Sequence, residues 1–316
     1  MYVLLGTLVV LFWNCENYFD PFDNPQKNDN EFLPGAERHW TWQRFERKRD
    51  GIAQTILAAG DIASGSEGGA CGELPALIGL AEVENRLVVS QLVNKTMLGE
   101  LGYGFVHRES PDERGIDVAL LYRRDRFRVL AVDSLCVPGI VTRDILYVKL
   151  REMPDQVGHD EWCHPRPELG SLHVFVVHFP SKRGGARDSD DRRKAAQYVL
   201  EAAVDSLLQI DDRSHIVVMG DFNDTDCTVA GLTEPPFKGV PAAPGTLKYH
   251  GRWERIDHFF VSPTLNASMR IFAPGFLLEP DPAWLGSKPR RTYIGPRYNG
   301  GLSDHLPIVL MLADTS

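Results

Sequence analysis

"HIVVMGDFND", residues 215–224, decides the architecture. Ile216 to Met219 are apolar without a polar alternation, so they read as a strand buried on both faces. The chain then runs straight into Asp221, Asn223 and Asp224. A buried strand that opens into carboxylates and amides is a rigid support with a polar tip. The same pattern recurs along the chain. Residues 8–13 read as a strand ending at Asn14, and "ALIGLAEVEN" (76–85) as one ending at Glu82, Glu84 and Asn85. "SLHVFVVHF" (171–179) ends at His178, "ERIDHFFVS" (254–262) carries Asp257, and Asp304–His305 stand just before "LPIVLML" (306–312). "GIDVALLYR" (115–123), "FRVLAVDSL" (127–135) and "DILYVKLRE" (144–152) complete the predicted strands.

Helices are fewer. Trp42, Phe45, Ile52, Ile56 and Leu57 recur at helical spacing within 39–59, and Gly60 is a natural stop. Residues 86–101 read as helical. Ser189 can cap a helix to about 208, whose apolar face is Ala195, Tyr198, Val199, Ala202, Leu207 and Leu208. Many strands and three or four helices predict two packed sheets with helices outside, in a single domain spanning 1–316.

The chain has 316 residues, 43% hydrophobic and 24% charged, an ordinary globular composition. Its formal charge of −9 argues against non-specific adhesion to DNA as the main role, while leaving room for a local basic groove. Five scattered cysteines without a CxxC pair read as free thiols. The apolar start, "MYVLLGTLVVLFWNCEN", has no basic residue ahead of it and is too short to span a bilayer, so its second half reads as the first core strand. The expectation is a chain with no membrane span, a monomer, cytoplasmic unless an upstream export signal has been removed.

A polar residue at one strand end usually caps a turn. Six such ends together point elsewhere: ends on one sheet edge converge, and clustered carboxylates repel unless a cation or proton joins them. Hard oxygen ligands of this kind suit Mg²⁺, with Mn²⁺ as the alternative. "FWNCEN", "GLAEVEN", "RGIDVALLY", "VHFPSKRGG", "GDFND", "RIDHFFVS" and "GLSDHLPI" occur in this order between residues 12 and 308. As a set they resemble the endonuclease/exonuclease/phosphatase superfamily, which includes DNase I, apurinic endonucleases, neutral sphingomyelinases and inositol polyphosphate 5-phosphatases. "HWTWQRF" and "RRTYIGPRYNGGLSDHLP" are similar to bacterial members. The resemblance implies a four-layer α/β sandwich, two mixed sheets flanked by helices, with the active site at one edge of both.

It also implies roles. Glu82 and Asp304 would bind the divalent metal, with Asn14 close to it. Asp221 and Asn223, two apart and so on one side of an extended segment, would hold the attacking water and a phosphate oxygen. Asp257 would fix the tautomer of His305, which would take a proton from water, with Asp221 the competing base. His178 would assist the phosphate or the leaving oxygen. Apart from the resemblance, the residues suggest that Asp117 either orients His178 as Asp257 orients His305 or is a structural Asp at a strand edge. Lys182, Arg183 and Arg187 follow His178 and suit phosphate contacts or a solvated loop feeding a helix. Arg290, Arg291, Tyr293, Arg297 and Tyr298 alternate basic and aromatic character, suited to a base, sugar or inositol ring or simply to loop packing.

Other motifs fail. "DFNDTD" lacks the Gly and Glu of a calcium loop, His159, Cys163 and His164 lack a fourth zinc ligand, and no nucleotide-binding Gly-rich loop or GxSxG elbow occurs. The expected activity is metal-dependent hydrolysis of a phosphate ester, first a phosphodiester in the manner of a nuclease. The alternatives are a phosphomonoester of an inositol, sugar or lipid, and a non-catalytic phosphate- or partner-binding relative. The expected partner is a phosphorylated substrate, either nucleic acid or a small ester.

Overall fold

The computed structural model describes residues 8–63, 73–153, 171–181, 186–238 and 243–313. Seventeen strands are formed among them: β1 Leu8–Tyr18, β2 Leu77–Val83, β3 Tyr103–His107, β4 Asp117–Arg123, β5 Phe127–Leu135, β6 Ile145–Glu152, β7 Ser171–His178, β8 His215–Asp221, β9 Leu247–Tyr249, β10 Arg252–Glu254, β11 Asp257–Val261, β12 Asn266–Ile271, β13 Leu278–Pro280, β14 Ser287–Pro289, β15 Tyr293–Ile294, β16 Arg297–Tyr298 and β17 Ile308–Ala313. The α-helices are α1 Trp42–Ala63, α2 Arg86–Asn94, α3 Met97–Glu100 and α4 Ala186–Ile210. A six-stranded sheet has the order β12-β17-β1-β2-β4-β3 and a five-stranded sheet β11-β8-β7-β6-β5. Both are mixed: β1 runs parallel to β2, and β7 parallel to β8, among antiparallel neighbours.

Alternation along β7 and β8 shows why both read as continuously apolar. Val174, Val176, Val217 and Met219 face the six-stranded sheet and join the large central core. Phe175, Val177, Ile216 and Val218 face the other way and pack with Ala196, Leu200 and Val204 of α4. The opposite outer face carries Phe45, Ile52 and Ile56 of α1, which join the core of the six-stranded sheet. The layers are therefore helix, sheet, sheet, helix. A strand with a sheet on one side and a helix on the other has no solvent face, so its hydrophobic run is unbroken. The sheets meet closely: a Cβ at Gly79 of β2 would come within 2.5 Å of Met219 Sδ.

Four boundaries differ from expectation. The helix expected from a Ser189 cap to about 208 runs over Ala186–Ile210, so Ser189 lies inside it. The helix predicted for 39–59 begins at Trp42. The helix predicted for 86–101 is two helices, because Asn85 caps α2 through Leu87 and Val88 N–H and Thr96 caps a new turn at Leu98 N–H. Strand β1 continues past Asn14 to Tyr18 across a bulge, where its register against β2 shifts. Strands β3 and β12 and the short hairpins were not foreseen. None of the described helices is long and apolar enough to cross a membrane.

Candidate active site

Register does most of the assembly. His178 pairs with Asp221 across β7 and β8, and Asp221 pairs with Asp257 across β8 and β11. The three side chains therefore stand in one row along the edge of the five-stranded sheet. The six-stranded sheet contributes Asn14 from β1 and Glu82 from β2. The loop before β17 is pinned to β1 by two bonds: Ser303 Oγ donates to Asn14 O at 2.6 Å, and Trp13 Nε1 donates to His305 O at 2.9 Å. This brings Asp304 and His305 over the same edge. Glu82, His178, Asp221, Asn223, Asp304 and His305 line one cleft of about 670 Å³.

The backbone is bent to do this. Glu16, Asn17, Glu82 and Asn223 all have φ between 45° and 56°. Non-glycine residues in that region cost free energy, and they concentrate where structure serves a site. Asn223 also corrects an expectation. It does not face the cleft by strand alternation, because β8 ends at Asp221. The chain turns there instead: Asn223 N–H donates to Asp221 Oδ1 at 2.9 Å, and its side-chain Nδ2 donates to Phe179 O at 2.9 Å.

Asp221 is the centre of the polar network. Its Oδ2 accepts from Asn14 Nδ2 at 3.0 Å and lies 3.7 Å from His178 Nε2 and 3.9 Å from His305 Nε2. The last two gaps exceed a hydrogen bond and suit an oxygen between the groups. Burial, reinforced by Asp257, pushes the Asp221 carboxyl up to about 7 against the opposing pull of His305, Asn223 and Asn14. His305 Nδ1–H donates to Asp257 Oδ2 at 2.8 Å. Burial disfavours the charged ring of His305, but Asp257, Asp221 and Asp304 outweigh it and hold its pKa well above the ordinary histidine value. Burial drives His178 the other way, well below that value, with Arg143 and Arg114 adding to the effect.

Glu82 Oε2 accepts from Asn17 N at 2.7 Å, while Oε1 is 3.9 Å from His178 Nε2. Asp304 Oδ2 accepts from Arg291 at 2.8 Å, and the same guanidinium reaches Glu16 Oε1 at 3.1 Å. Glu16 is buried, and that burial together with Asp304 lifts it to about 7. Lys48 of α1, also buried, donates to Glu16 O and to Thr292 Oγ1, the latter at 2.7 Å. Glu82 and Asp304 are partly open side chains offering hard oxygen, with no thiolate beside them in the cleft lining, and that donor set fits a divalent cation of the Mg²⁺ kind.

Several expectations change. Asn14 does not present itself as a metal ligand: it is buried, its Nδ2 is spent on Asp221 and its Oδ1 accepts Glu16 N–H at 2.9 Å. Its place is to hold Asp221. Asp117 does not orient His178. Its carboxylate accepts Ser110 N–H at 3.0 Å and faces His107 Nε2 at 3.5 Å, while His178 Nδ1 has no hydrogen-bond partner among the described residues. Strand β4 sits on the far side of β2, which puts Asp117 beside β3 instead. Tyr298 is not in the cleft lining. The β15–β16 hairpin turns its rings onto α1 and the segment before it: Arg44 of α1 lies 4.3 Å over Tyr298, and buried Tyr293 donates its hydroxyl to Arg38 O. From that loop Arg291 reaches the cleft. Lys182 and Arg183 lie outside the described residues, as does the side chain of Arg187.

Among the cleft residues that were missed, three are charged and stand close to the polar network. Glu16 stands two after Asn14 in the quoted "FWNCEN", a signal that could have been read. Arg114 opens "RGIDVALLY" and donates to Asn17 Oδ1. Arg143 belongs to no motif, and it donates to His178 O at 3.2 Å and Phe179 O at 2.9 Å.

Known proteins agree with this architecture. Solved structures of similar fold include truncated TDP2 from Caenorhabditis elegans (14% identity, 97% of each chain covered, TM-score 0.57). Another is the human nocturnin catalytic domain with bound sulfate (17% identity, 98% of this chain and 94% of that one, TM-score 0.57). A third is a mannosyl-6-phosphatase from Bacteroides thetaiotaomicron (14% identity, 97% and 99%, TM-score 0.56). At these identities the likeness is one of fold. Among curated proteins no significant match is found. The family model described as Endonuclease/Exonuclease/phosphatase family matches residues 9–234 and 240–314, nearly the whole length, and this chain belongs to that family.

Proposed function

We propose that the protein is a divalent-metal-dependent phosphoesterase that hydrolyses its substrate with a water deprotonated within the Asp221–His305–Asp257 cluster. The observation that carries this reading is the register row His178–Asp221–Asp257, set against Glu82 and Asp304 in one cleft. Glu82 and Asp304 would hold the ion, Mg²⁺ or Mn²⁺, which when bound supplies Lewis-acid polarisation of a phosphoryl oxygen and neutralises charge. The remaining work falls to the chain. Asp221 Oδ2, oriented by Asn14, is placed to accept the proton of the attacking water. His305, fixed by Asp257, presents Nε2 to that same space, as a charged donor to a phosphoryl oxygen or as the competing base. His178 and Asn223 are placed to hold a phosphate oxygen or the departing one.

A phosphodiester is the first choice of substrate. The second reading, a phosphomonoester of an inositol, sugar or lipid, is favoured by Arg114, Arg143 and Arg291 meeting at one cleft on a chain of net charge −9. The family includes both kinds of activity, and one structural neighbour is named a mannosyl-6-phosphatase. The deciding experiment assays bis-p-nitrophenyl phosphate, plasmid DNA and inositol and sugar phosphates, each with Mg²⁺ and with EDTA. Hydrolysis that EDTA abolishes supports the reading and ranks the substrates. No hydrolysis of any of them, or hydrolysis indifferent to EDTA, overturns it.

A further inference from the structure

The cleft has a second wall that neither the mechanism nor the motifs use. It is built from two hairpins, β9–β10 and β13–β14. The first turns through His250 and Gly251, with φ of 46° and 78°, the two left-handed positions of a type I′ turn. The turn leaves Tyr249 61% exposed and His250 exposed beside it, the two rings edge to face at 4.2 Å. The second hairpin carries Trp284, 57% exposed. All three side chains line the cleft that holds Asp221 and His305.

Exposed aromatic rings on loops are usually mobile; these are fastened from below. Lys248 Nζ, on the buried side of β9, pairs with Asp281 at 2.9 Å and donates to Leu285 O at 2.9 Å and Ser287 O at 3.2 Å. One lysine therefore staples the loop that carries Trp284 to the hairpin that carries Tyr249. The indole rests against the turn itself: a Cβ on Gly251 would meet Trp284 Cγ and Cδ2 at 2.8 Å. Gly251 is thus required twice, by its φ and by the ring on it. Even so fastened, Tyr249 and Trp284 leave more than half of their surface in water.

The offset of Tyr249 from His305 is set by the strand. Leu247, the first residue of β9, forms a β-bridge with His305, and Leu306 N–H donates to Thr246 O at 2.8 Å. Tyr249 is two residues further on, about 7 Å along the strand. That is the separation of a phosphate from a ring one sugar away. We propose that Tyr249, His250 and Trp284 form a stacking platform for the ring of a small phosphate ester, an aromatic group of nucleoside size attached next to the reacting phosphate. This rests on the phosphoesterase reading for the identity of the phosphate end, and it adds the class of the other end. Aromatic side chains recognise flat rings by stacking with little demand for a particular hydrogen-bond pattern. The cleft volume, about 670 Å³, matches a ligand of that size.

The test separates binding from turnover. With Mg²⁺ and the Asp221→Asn variant, which keeps ligand from being consumed, adenosine 5′-monophosphate and ribose 5-phosphate are titrated calorimetrically. The expected result is at least about tenfold tighter binding of the nucleotide. In the added presence of Tyr249→Ala and Trp284→Ala the preference falls to about twofold or less. Equal affinity for the two ligands, or a preference that survives both substitutions, overturns the platform. In parallel the wild-type protein is assayed on bis-p-nitrophenyl phosphate and on methyl p-nitrophenyl phosphate, which share a leaving group. Hydrolysis of both at equal efficiency removes the platform and leaves the phosphoesterase reading standing. Nucleotide-selective binding without turnover of either diester or of any inositol or sugar phosphate removes the catalytic reading and leaves the platform.

Discussion

His178 and His305 both bring Nε2 toward one oxygen of Asp221, at 3.7 and 3.9 Å, yet their surroundings hold them in opposite charge states. His305 gains a carboxylate at Nδ1, which overrides burial and keeps the ring cationic. His178 has no such partner, lies near Arg143 and Arg114, and stays neutral. A neutral and a charged imidazole therefore flank one carboxylate. The asymmetry comes from where Asp257 sits in the register of β8 and β11.

Replacing Asp221 by Asn removes the central proton acceptor; its one carbonyl oxygen can keep the Asn14 contact but then gives up the Asn223 N–H bond. The expected loss in kcat is about 10²–10⁴-fold. In the parent, kcat rises with pH through about 7, where the buried carboxyl gives up its proton, and the variant lacks this limb. Stability moves in the opposite sense. The folded chain keeps the Asp221 proton up to about 7, whereas the unfolded chain loses it near about 4. Between those values the folded state binds the extra proton, so raising the pH favours unfolding. In EDTA, the melting temperature of the variant relative to the parent should climb from about pH 5 to about pH 8. A flat difference would remove the proton from Asp221.

Asp257→Asn leaves His305 without its carboxylate and free to adopt the wrong tautomer. A fall of about 10²-fold or more in kcat, with KM little changed, is the expected outcome. Because Asp257 acts through His305, the effects overlap. The double variant with His305→Ala should be no more than about tenfold worse than His305→Ala alone. Multiplicative losses in the cycle would show that Asp257 has a separate task.

Much of this site is legible in the sequence, and the parts that are not share a cause. Asp221, His178 and Asp257 end or begin long buried strands, whose hydrophobic runs announce them. Glu16 lay inside a quoted motif, but its place in the cleft was not legible because a bulge, not a strand end, delivers it: β1 continues to Tyr18 and its register slips there. Lys48 sits in "RFERKRD", which resembles a solvated charged face, and its burial depends on Glu16 and Thr292, distant in sequence. Tyr298 drew attention by composition, but its partner is Arg44 on a helix more than 250 residues earlier. Strands β3 and β12 are sheet edges with five and six residues and weak alternation, and edge strands carry the faintest hydrophobic signal. Local pattern locates residues that a rigid element carries to its end; pairings made across the fold leave little trace in it.

Metal binding gives an independent reading of Glu82 and Asp304. A ligand held by the folded chain raises its stability by about 2.7 kcal/mol at a hundred times its Kd. Mg²⁺ or Mn²⁺ should therefore raise the melting temperature of the parent by several degrees, and EDTA should reverse it. Glu82→Gln keeps the shape and an acceptor for Asn17 N–H but drops the charge, so most of the shift should disappear. An undiminished shift in this variant would place the ion elsewhere.

Lys48 tests the support beneath the site. It is fully enclosed, burial lowers its pKa, and Glu16 opposes that shift most strongly. Lys48→Met replaces the stem with matching volume and removes the donor to Glu16 O and Thr292 Oγ1. The expected cost is about 2–4 kcal/mol of unfolding free energy, measured by urea titration. Activity should fall as well, because Glu16 and Arg291 lose the frame that aims Asp304. A variant as stable as the parent would mean that the lysine is retained for charge alone.

Gly220 is the residue of "GDFND" with no chemistry to do, and its requirement is steric. It pairs with Val177 across the parallel β7–β8 ladder, immediately before the row that holds His178 and Asp221. A Cβ there would lie 2.3 Å from Val177 O and 2.2 Å from Val177 Cγ2. The carbonyl belongs to a central strand and cannot swing aside as a flexible side chain could, so the two strands must separate. Overpacking of this kind costs about 3 kcal/mol. The separation also falls on the pairing next to the one that sets His178 against Asp221. Gly220→Ala should therefore lower both stability and kcat, whereas Gly79→Ala, which meets Met219 Sδ, a side-chain atom, should cost less stability and leave the His178–Asp221 row in place. The comparison is made on the same preparation by urea titration and by initial rates. Equal effects of the two substitutions would show that the motif glycine serves the sheet interface alone and not the alignment of the site.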